Sequence, residues 1–325
     1  MTRPYNFAPG PAMLPETVLK QIQSEMLDFH GCGWSILEAS HRGPQVTGVM
    51  TELKSRLRQL LSIPDTYDVL FCPGGGRKQF AMVPMNLLGA GTLSTYIITG
   101  AWSKAAAKEA LRFGRVQSAF SGSGNRIPAD EELEVIPETS YCAYCDNETI
   151  HGIEFERVPV LKDAEAVPLV ADMTSNFLTR PVDVNKFGLF YASAQKNLGI
   201  AGLAVIVLRR DLLGLAGTEV PTLLNYSVYS RTDSVPNTPP VFQLYVANLM
   251  AQWIEAHGGV AVMDEYARAR AKIVYDAIDA MPEMYVAHVE RESRSRVNAV
   301  FRLKDEALTA LFVKEAAEAG LANLA

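Results

Sequence analysis

One lysine stands among small and apolar residues in the segment GLFYASAQKNLGIAG, which runs from Gly188 to Gly202. Burial disfavours the charged form of an amine, so we expect the pKa of Lys196 to fall from about 10.4 toward neutrality. A neutral amine can attack a carbonyl group and form an imine. On this segment alone, a lysine whose head reaches water is an equally good interpretation.

Asp172 directly follows the apolar run VPLVA at Val167–Ala171, so it stands at the carboxyl end of a predicted buried strand. Ligands bind at that edge of open α/β sheets. A buried carboxylate needs a cationic or hydrogen-bonding partner, and a protonated pyridine nitrogen would supply one while the ring acts as an electron sink. The alternative is an N-cap for the following TSNF segment. We predict that Lys196 and Asp172 lie at the ends of neighbouring strands.

The run CPGGGR at Cys72–Arg77 follows a predicted strand and opens a predicted helix. Free backbone N–H groups at the start of a helix, together with the guanidinium of Arg77, form an anion site, and we interpret it as a phosphate site. The run is neither G-x-G-x-x-G nor a Walker A sequence, which disfavours a dinucleotide or ATP site. A flexible glycine turn is the alternative interpretation.

Trp102 comes after the strand STYIIT at Ser94–Thr99 and a Gly-Ala turn, with Ser103 as the predicted helix cap. It therefore belongs to the same predicted sheet edge as Arg77 and Asp172. An aromatic face at that edge can stack on a flat heterocycle. An isolated tryptophan, by contrast, is more often part of a core.

Two polar segments offer further ligand contacts. The segment Asn147–Thr149 is predicted to be a turn that presents the Thr149 hydroxyl. His41 and Arg42, in the run SHRG, form a basic pair that could bind a substrate carboxylate or phosphate through charge-assisted hydrogen bonds. An ordinary loop and a surface pair are the respective alternatives.

The composition is that of a folded chain with more than one core. The chain has 325 residues, of which 48% are hydrophobic and 20% are charged. Its net charge of −6 disfavours nucleic acid or an anionic membrane as the main partner. No apolar stretch approaches the ~20 residues of a membrane helix, and the N-terminus lacks the apolar region of a signal peptide. We therefore expect a cytoplasmic protein.

The four cysteines fit a reducing compartment better than a disulfide framework. Cys142 and Cys145 form a C-x-x-C pair, but no second Cys or His pair stands at zinc spacing. We therefore predict no metal site and interpret the pair as strand packing.

Short apolar runs alternate with amphipathic helical patterns in most of the chain. Near-continuous apolar strands separated by helices are typical of an α/β fold, with a mixed, mostly parallel sheet covered by helices. The predicted strands are Asp68–Cys72, Ser94–Thr99, Val167–Ala171, Leu189–Ala192 and Leu203–Leu208, and helices are predicted at Gln79–Leu88 and Ser103–Phe113.

The pattern changes near Gly259, where one helix stops and another starts within Trp253–Met281. Beyond it, Arg296–Leu303 alternates like a half-exposed strand, and Glu306–Ala319 has the pattern of an amphipathic helix. We predict a large domain at residues 16–258 and a smaller α+β domain built from residues 1–15 and 259–325.

Several segments combine into a specific pattern: NFAPGPAMLP at Asn6–Pro15, SHRG at Ser40–Gly43, VLFCPGGGRKQFAMVPMNLL at Val69–Leu88, GAW at Gly100–Trp102, NETIHG at Asn147–Gly152, TRPVDVNKFGLFYASAQKNLGIAGLAVIV at Thr179–Val207 and NTPP at Asn237–Pro240. This pattern resembles the phosphoserine aminotransferases of class V, from Asn6 to the end of the chain. The resemblance implies a fold type I transferase that depends on pyridoxal 5'-phosphate and works as a homodimer with shared active sites.

The resemblance also implies a set of site residues. Lys196 holds the cofactor and acts as the catalytic acid and base, and Asp172 contacts the ring nitrogen. The remaining implied contacts are Trp102 on the ring, Thr149 near its phenolic oxygen, Gly76, Arg77 and Gln195 on its phosphate, Asn237 and Thr238 on that phosphate from the partner subunit, and His41 and Arg42 on the anionic groups of the substrate.

The implied reaction exchanges an amino group between O-phospho-L-serine and 2-oxoglutarate and gives 3-phosphohydroxypyruvate and L-glutamate. It serves serine biosynthesis, and the homologous 4-phosphohydroxythreonine step serves pyridoxine biosynthesis. Alternatives are another class V reaction, such as alanine–glyoxylate transamination or cysteine desulfuration, and a cofactor-binding but impaired protein. A nicotinamide oxidoreductase has less support because the chain contains no dinucleotide fingerprint.

The chain departs from the family pattern in two places. Many relatives have a serine before the glycine of the GPAMLP motif, where this chain has Ala8 and Pro9. Relatives also continue beyond the position of Ala325 with a basic segment, whose arginine binds the α-carboxylate of the substrate. If 325 residues is the whole molecule, we expect an intact cofactor site with amino-acid binding weakened by on the order of 2–5 kcal/mol. A truncated form and a sequence trimmed at its end are the two interpretations that stay open.

Overall fold

The structure is a computed structural model that describes residues 3–89 and 91–324. Its α-helices are α1 (Glu16–Glu25), α2 (Pro44–Leu61), α3 (Gly76–Leu87), α4 (Ala101–Ala110), α5 (Tyr226–Arg231), α6 (Val241–Ala256), α7 (Gly259–Ala280) and α8 (Thr309–Glu318). Its strands are β1 (Tyr5–Asn6), β2 (Tyr67–Pro73), β3 (Leu93–Ile98), β4 (Arg115–Ser121), β5 (Cys142–Cys145), β6 (Asn147–Glu148), β7 (Ile153–Glu154), β8 (Leu169–Asp172), β9 (Leu189–Ser193), β10 (Leu203–Arg209), β11 (Tyr285–Val286), β12 (Arg302–Leu303) and β13 (Leu321–Ala322). Across these two described ranges, no helix combines the length and the apolar character needed to cross a bilayer.

Seven strands form the main sheet, in the order β2-β10-β9-β8-β5-β3-β4. Every neighbouring pair is parallel except the two pairs made by β10, which is antiparallel to both β2 and β9. This mixed, mostly parallel sheet confirms the fold class predicted from the buried apolar strands. The C-x-x-C pair lies in β5 with both thiols buried, so its interpretation as strand packing is also confirmed.

Helices cover both faces of the sheet. Along β2, Val69 and Phe71 belong to a core that includes α2 and α6, whereas Leu70 and Cys72 belong to a core that includes α3 and α4. Successive side chains of a strand point to opposite faces, and here both faces are dry. That is why the central strands are apolar at nearly every position rather than alternating.

The two ends of the described chain meet in a small parallel sheet. Tyr5 of β1 pairs with Leu321 of β13, and Asn6 pairs with Ala322. The predicted helix at Glu306–Ala319 is present as a 3₁₀ turn at Glu306–Leu308 followed by α8.

The predicted strand at Arg296–Leu303 is wrong except for its last two residues, which form β12. The side chain of Arg296 points inward and pairs with Glu154 and with Asp264 of α7. The polar position at Arg296 therefore reflects an inward-facing, paired arginine, and it does not mark the exposed face of a strand.

A buried ionic cluster holds the β6–β7 hairpin against the rest of the molecule. Glu154 is 3% exposed, and its Oε1 accepts a hydrogen bond from Arg296 Nη2 at 2.8 Å. Arg180, which is 8% exposed, pairs with Asp146 at 2.7 Å. Charges at such depth are tolerated only when they are paired, and removal of one partner costs about 3–5 kcal/mol. The cluster thus fixes the hairpin whose turn contains Thr149.

The turn of this hairpin depends on Gly152, which has φ +71 and lies where an added Cβ would be 2.8 Å from Asn298 O. Gly214 is a matched control, because it has φ +85 but a Cβ added there meets no described atom within 4 Å. We expect Gly214→Ala to lower the free energy of unfolding by about 1–2 kcal/mol, the cost of a left-handed backbone. Gly152→Ala should cost about 1–3 kcal/mol more, because of overpacking.

Urea unfolding of both variants, followed by circular dichroism, measures this difference. Equal losses for Gly152→Ala and Gly214→Ala would contradict the close approach of the Asn298 carbonyl to the hairpin turn.

Candidate active site

The parallel strands β5, β8 and β9 end side by side at one edge of the sheet. Asp172 is the last residue of β8, and its register partners are Cys145 of β5 and Tyr191 of β9. Lys196 lies in the turn that follows β9. The structure therefore places Lys196 and Asp172 at the same sheet edge, after neighbouring strands, as the sequence predicts.

Lys196 is half-buried, and its head is held inside the protein. Its Nζ donates a hydrogen bond to Thr149 Oγ1 at 2.6 Å, and a Cβ added to Gly10 of the N-terminal arm would lie 3.1 Å from Lys196 Cε. Burial lowers the pKa of Lys196 to about 8, although the nearby Asp172 carboxylate favours the charged form. A lysine that merely reaches into solvent would show neither this partner nor this shift.

Asp172 is oriented by the loop that follows it. Its Oδ1 accepts the Thr174 N–H at 2.9 Å. Burial raises the pKa of the Asp172 carboxyl, and the hydrogen bonds from Thr174 partly offset that rise. The alternative role as a helix N-cap is wrong, because the described residues 173–180 form turns instead of a helix.

The glycine run joins the end of β2 to the start of α3. Gly74 has φ +107, Gly75 is the N-cap, and α3 begins at Gly76. A Cβ added to Gly75 would lie 3.0 Å from Ser193 Oγ, and one added to Gly76 would lie 3.0 Å from Thr174 Oγ1. Bare backbone N–H groups therefore stand beside two hydroxyl groups at a helix start, which is an arrangement that suits a phosphate.

Two predicted phosphate residues border this helix start. The exposed Arg77 has its guanidinium carbon 5.2 Å from the centroid of the Trp102 ring, in a cation–π contact. Gln195 Oε1 accepts a hydrogen bond from Ser193 Oγ, and Gln195 O accepts the Ala12 N–H at 2.8 Å. The structure thus gathers the predicted phosphate contacts of this chain around one turn.

Trp102 is the second residue of α4, whose N-cap is Gly100. The prediction that Ser103 is the cap residue of this helix is wrong, because Ser103 already lies in the first turn, where its hydroxyl accepts the Gly100 N–H at 3.1 Å. The half-buried indole lines a small cavity together with Asp172 and Tyr191. Trp102 therefore belongs to the same sheet edge as Asp172, as predicted.

Four predicted site residues lie apart from this group. His41 and Arg42 stand in the turn before α2, and Asn237 and Thr238 lie in the loop between α5 and α6. Within residues 3–89 and 91–324, no hydrogen bond or ion pair joins any of them to Lys196. Their roles stay predictions, and those of Asn237 and Thr238 concern a second subunit.

Three contributors are missing from the sequence-based predictions. The Glu148 carboxylate accepts the Trp102 N–H at 2.9 Å, and Thr174 Oγ1 accepts the Ser193 N–H at 3.2 Å. Thr174 had a usable signal, since it stands two residues after Asp172 at the spacing of an Asx turn. Glu148 directly precedes Thr149, whereas nothing in the apolar run of β9 distinguishes Ser193.

Taken together, the groups at this edge suit a flat, anionic carbonyl compound. A half-buried amine of lowered pKa can attack a carbonyl, a bare helix start with an arginine beside it can bind phosphate, and an indole can stack on a ring. The half-buried carboxylate of Asp172 favours a cationic ring nitrogen. Pyridoxal 5'-phosphate has each of the complementary groups, so the donor set fits it.

Comparison with known proteins agrees with this chemistry. The aminotransferase class V family model matches residues 4–322. The chain is 45% identical over 323 residues to a phosphoserine aminotransferase of Acidithiobacillus ferrooxidans, and the match covers 98% of this chain and 88% of that protein.

Two solved structures have the same architecture throughout. The phosphoserine aminotransferase of Bacillus circulans subsp. alkalophilus superposes with a TM-score of 0.96 at 41% identity and covers 99% of this chain and 89% of its own. The pyridoxal-phosphate-bound phosphoserine aminotransferase of Trichomonas vaginalis gives a TM-score of 0.94 at 37% identity, with 99% and 92% covered. The chain therefore belongs to the class V aminotransferases and, within them, to the phosphoserine aminotransferase family.

Proposed function

We propose that this chain transfers the amino group of O-phospho-L-serine to 2-oxoglutarate with pyridoxal 5'-phosphate as cofactor, yielding 3-phosphohydroxypyruvate and L-glutamate. The observation that supports this most directly is the Lys196 amine, whose pKa is lowered to about 8 and whose Nζ lies 2.6 Å from Thr149 Oγ1. The reaction belongs to serine biosynthesis. The 4-phosphohydroxythreonine step of pyridoxine biosynthesis would use the same groups on a related substrate.

The proposed cofactor contacts follow from the chemistry of each side chain. When bound, pyridoxal phosphate supplies an electron sink that stabilises negative charge at the substrate Cα. Lys196 holds the cofactor covalently, and Asp172 faces its ring nitrogen. The other proposed contacts are Trp102 on the ring, Thr149 near the phenolic oxygen, Gly76, Arg77 and Gln195 on the phosphate, and Asn237 and Thr238 of the partner subunit on the same phosphate.

Lys196 Nζ is the proposed base that takes the proton from the substrate Cα and returns one during the transfer. A catalytic group works best when its pKa lies near the operating pH, and burial brings the pKa of Lys196 to about 8. The hydroxyl of Thr149 keeps Nζ in place through the 2.6 Å hydrogen bond. Asp172, whose pKa is raised by burial, gains from a cationic neighbour and so favours the protonated ring nitrogen.

His41 and Arg42 are the proposed contacts for the anionic groups of the substrate. Arg42 is exposed and His41 is half-buried, directly before α2. Charge-assisted hydrogen bonds from such donors to a phosphate or carboxylate are roughly twice as strong as neutral ones. This preference would favour phosphoserine over an uncharged amino acid side chain.

Burial of three of the four cysteines, Cys72, Cys142 and Cys145, disfavours cysteine desulfuration, a competing class V reaction. Burial raises the pKa of Cys72 and of Cys142 to about 12, and it raises that of Cys145 well above the usual range. Thiols of such high pKa stay protonated and are poor nucleophiles. Transamination is therefore the reaction we favour.

We further infer a homodimer with shared active sites. Asn237 and Thr238 are exposed on the loop between α5 and α6, where they are free to meet the cofactor phosphate of a second subunit.

We also propose a large domain at 16–258 and a smaller one from 1–15 and 259–325, which the pairing of β1 with β13 supports. A cytoplasmic setting is supported by the four cysteines, which are free thiols.

The first test is turnover with phosphoserine. With bound cofactor, we expect kcat/KM for phosphoserine to exceed that for alanine by at least about 100-fold, because the phosphate adds charge-assisted hydrogen bonds of roughly 1.5–3 kcal/mol each. Lys196→Ala should lower turnover by more than about 10³-fold and abolish covalent attachment. Coupled glutamate assays and peptide mapping after borohydride reduction measure both effects, and a label on another lysine would refute the assignment.

The protonation of Lys196 is testable in the cofactor-free protein. We expect its acylation rate to reach half its maximum at about pH 8, measured by peptide mass spectrometry with the exposed Lys272 as an internal reference. Thr149→Val should shift this midpoint lower still, because the hydroxyl accepts from the ammonium form and so raises the pKa of Lys196. A midpoint near the ordinary lysine value of about 10.4 would contradict a desolvated amine.

Shared active sites predict complementation between two inactive variants. Lys196→Ala and the double variant Asn237→Ala, Thr238→Ala should each be inactive or weakly active as homodimers. In a mixed dimer, one site would combine an intact Lys196 with an intact Asn237 and Thr238 from the other subunit. Refolding the two variants together should therefore restore activity, and its absence in verified mixed dimers would contradict the shared site.

A further inference from the structure

Glu148 carries a carboxylate yet is fully buried, with 0% of its surface exposed. Its Oε2 accepts the Trp102 N–H at 2.9 Å. Its Oε1 accepts the Ser103 N–H at 2.8 Å and the Ser103 hydroxyl at 2.6 Å. All three donors are neutral and belong to the first turn of α4, so this carboxylate caps a helix from a distant part of the chain.

The first turn of α4 needs such a cap. Its N-cap, Gly100, has no side chain to accept the free N–H groups of the turn. A carboxylate is also favoured there by the positive end of the helix dipole. The glycine leaves room for it, because a Cβ added to Gly100 would lie 2.6 Å from Glu148 Cδ.

The capped turn connects two groups of the active site. Trp102 donates its own backbone N–H to Glu148, and Thr149, which follows Glu148 in the chain, accepts the hydrogen bond from Lys196 Nζ. Glu148 is itself fixed, because it pairs with Ile153 across the β6–β7 hairpin. One side chain therefore links the backbone of the aromatic residue to that of the hydroxyl residue.

Glu148 also contributes charge to the sheet edge. Burial is the main cause of the raised pKa of Asp172, and the negative charge of Glu148 raises it further. Two carboxylates thus make this part of the edge attractive to a cation.

We propose that Glu148 is a positioning residue of the cofactor site, which holds the first turn of α4 so that the Trp102 indole keeps a fixed placement relative to Thr149 and Lys196. The inference rests on the proposed function, since it assumes that Trp102 contacts the pyridoxal phosphate ring. It adds a residue that never touches the cofactor itself.

The test compares Glu148→Gln with Glu154→Gln. Glu154 is a buried carboxylate on the paired strand β7, 3% exposed, and it contacts Arg296 and not α4. Both variants are made in a Trp34→Phe, Trp253→Phe background, which leaves Trp102 as the sole tryptophan of the 3 in the chain. Acrylamide quenching of Trp102 fluorescence is measured in the cofactor-free protein, and pyridoxal phosphate affinity is measured by absorbance titration.

For Glu148→Gln, we expect quenching of Trp102 to rise at least twofold and the Kd for pyridoxal phosphate to rise about tenfold, which corresponds to ~1.4 kcal/mol. For Glu154→Gln, a lower melting temperature with quenching unchanged would show that general destabilisation does not mimic the effect. A folded Glu148→Gln protein with unchanged quenching and unchanged Kd would overturn the proposal.

Ser103→Ala covers the case in which Glu148→Gln fails to fold. It removes one of the three hydrogen bonds to the carboxylate, so it should shift quenching and Kd in the same direction by a smaller factor, and no shift would overturn the proposal. The quenching measurement needs neither cofactor nor substrate. A protein that fails to turn over phosphoserine while Trp102 responds as expected would refute the proposed function and leave the positioning of Trp102 by Glu148 supported.

Discussion

In the proposed reaction, the amine of Lys196 must be buried enough to lose its proton and close enough to a negative charge to act as an acid afterwards. Burial lowers its pKa, and the Asp172 carboxylate works in the opposite direction, with a balance at about 8. The hydrogen bond from Nζ to Thr149 Oγ1 fixes the position of the amine. The other groups of the site lie around this amine at the same edge of the sheet.

The direction of the strands brings the residues of the site together at one edge of the sheet. The strands β2, β3, β5, β8 and β9 all run the same way, so the segments that follow them emerge at one edge. Those segments supply the glycine turn, Trp102, Thr149, Asp172 and Lys196 in turn. Because both faces of the sheet are covered by helices, the polar groups gather at this edge, where the hydrogen bonds of Glu148, Asp172 and Lys196 offset the cost of their burial.

The parts of this site that sequence could predict are those set by local rules. The residues that directly follow an apolar strand lie at the edge of the sheet, and this rule predicted the positions of Asp172, Trp102 and the glycine turn. The role of Glu148 could not be predicted, because its hydrogen-bond partners lie on α4, far from it in the sequence. The prediction of a strand at Arg296 was wrong, because an arginine that points inward gives the same pattern as an exposed strand position. The roles of His41 and Asn237 stay predictions, because within the described residues neither side chain forms a hydrogen bond with Lys196.

The edge also has a polarity of its own, which follows from where the charges stand. The glycine turn, the start of α3 and Arg77 make one part attractive to anions, whereas Asp172 and Glu148 make another part attractive to cations. A ligand with a phosphate at one end and a protonated ring nitrogen at the other can satisfy both parts in a single orientation. Because reversal would place like charges together, the charges of this edge favour one orientation of such a ligand.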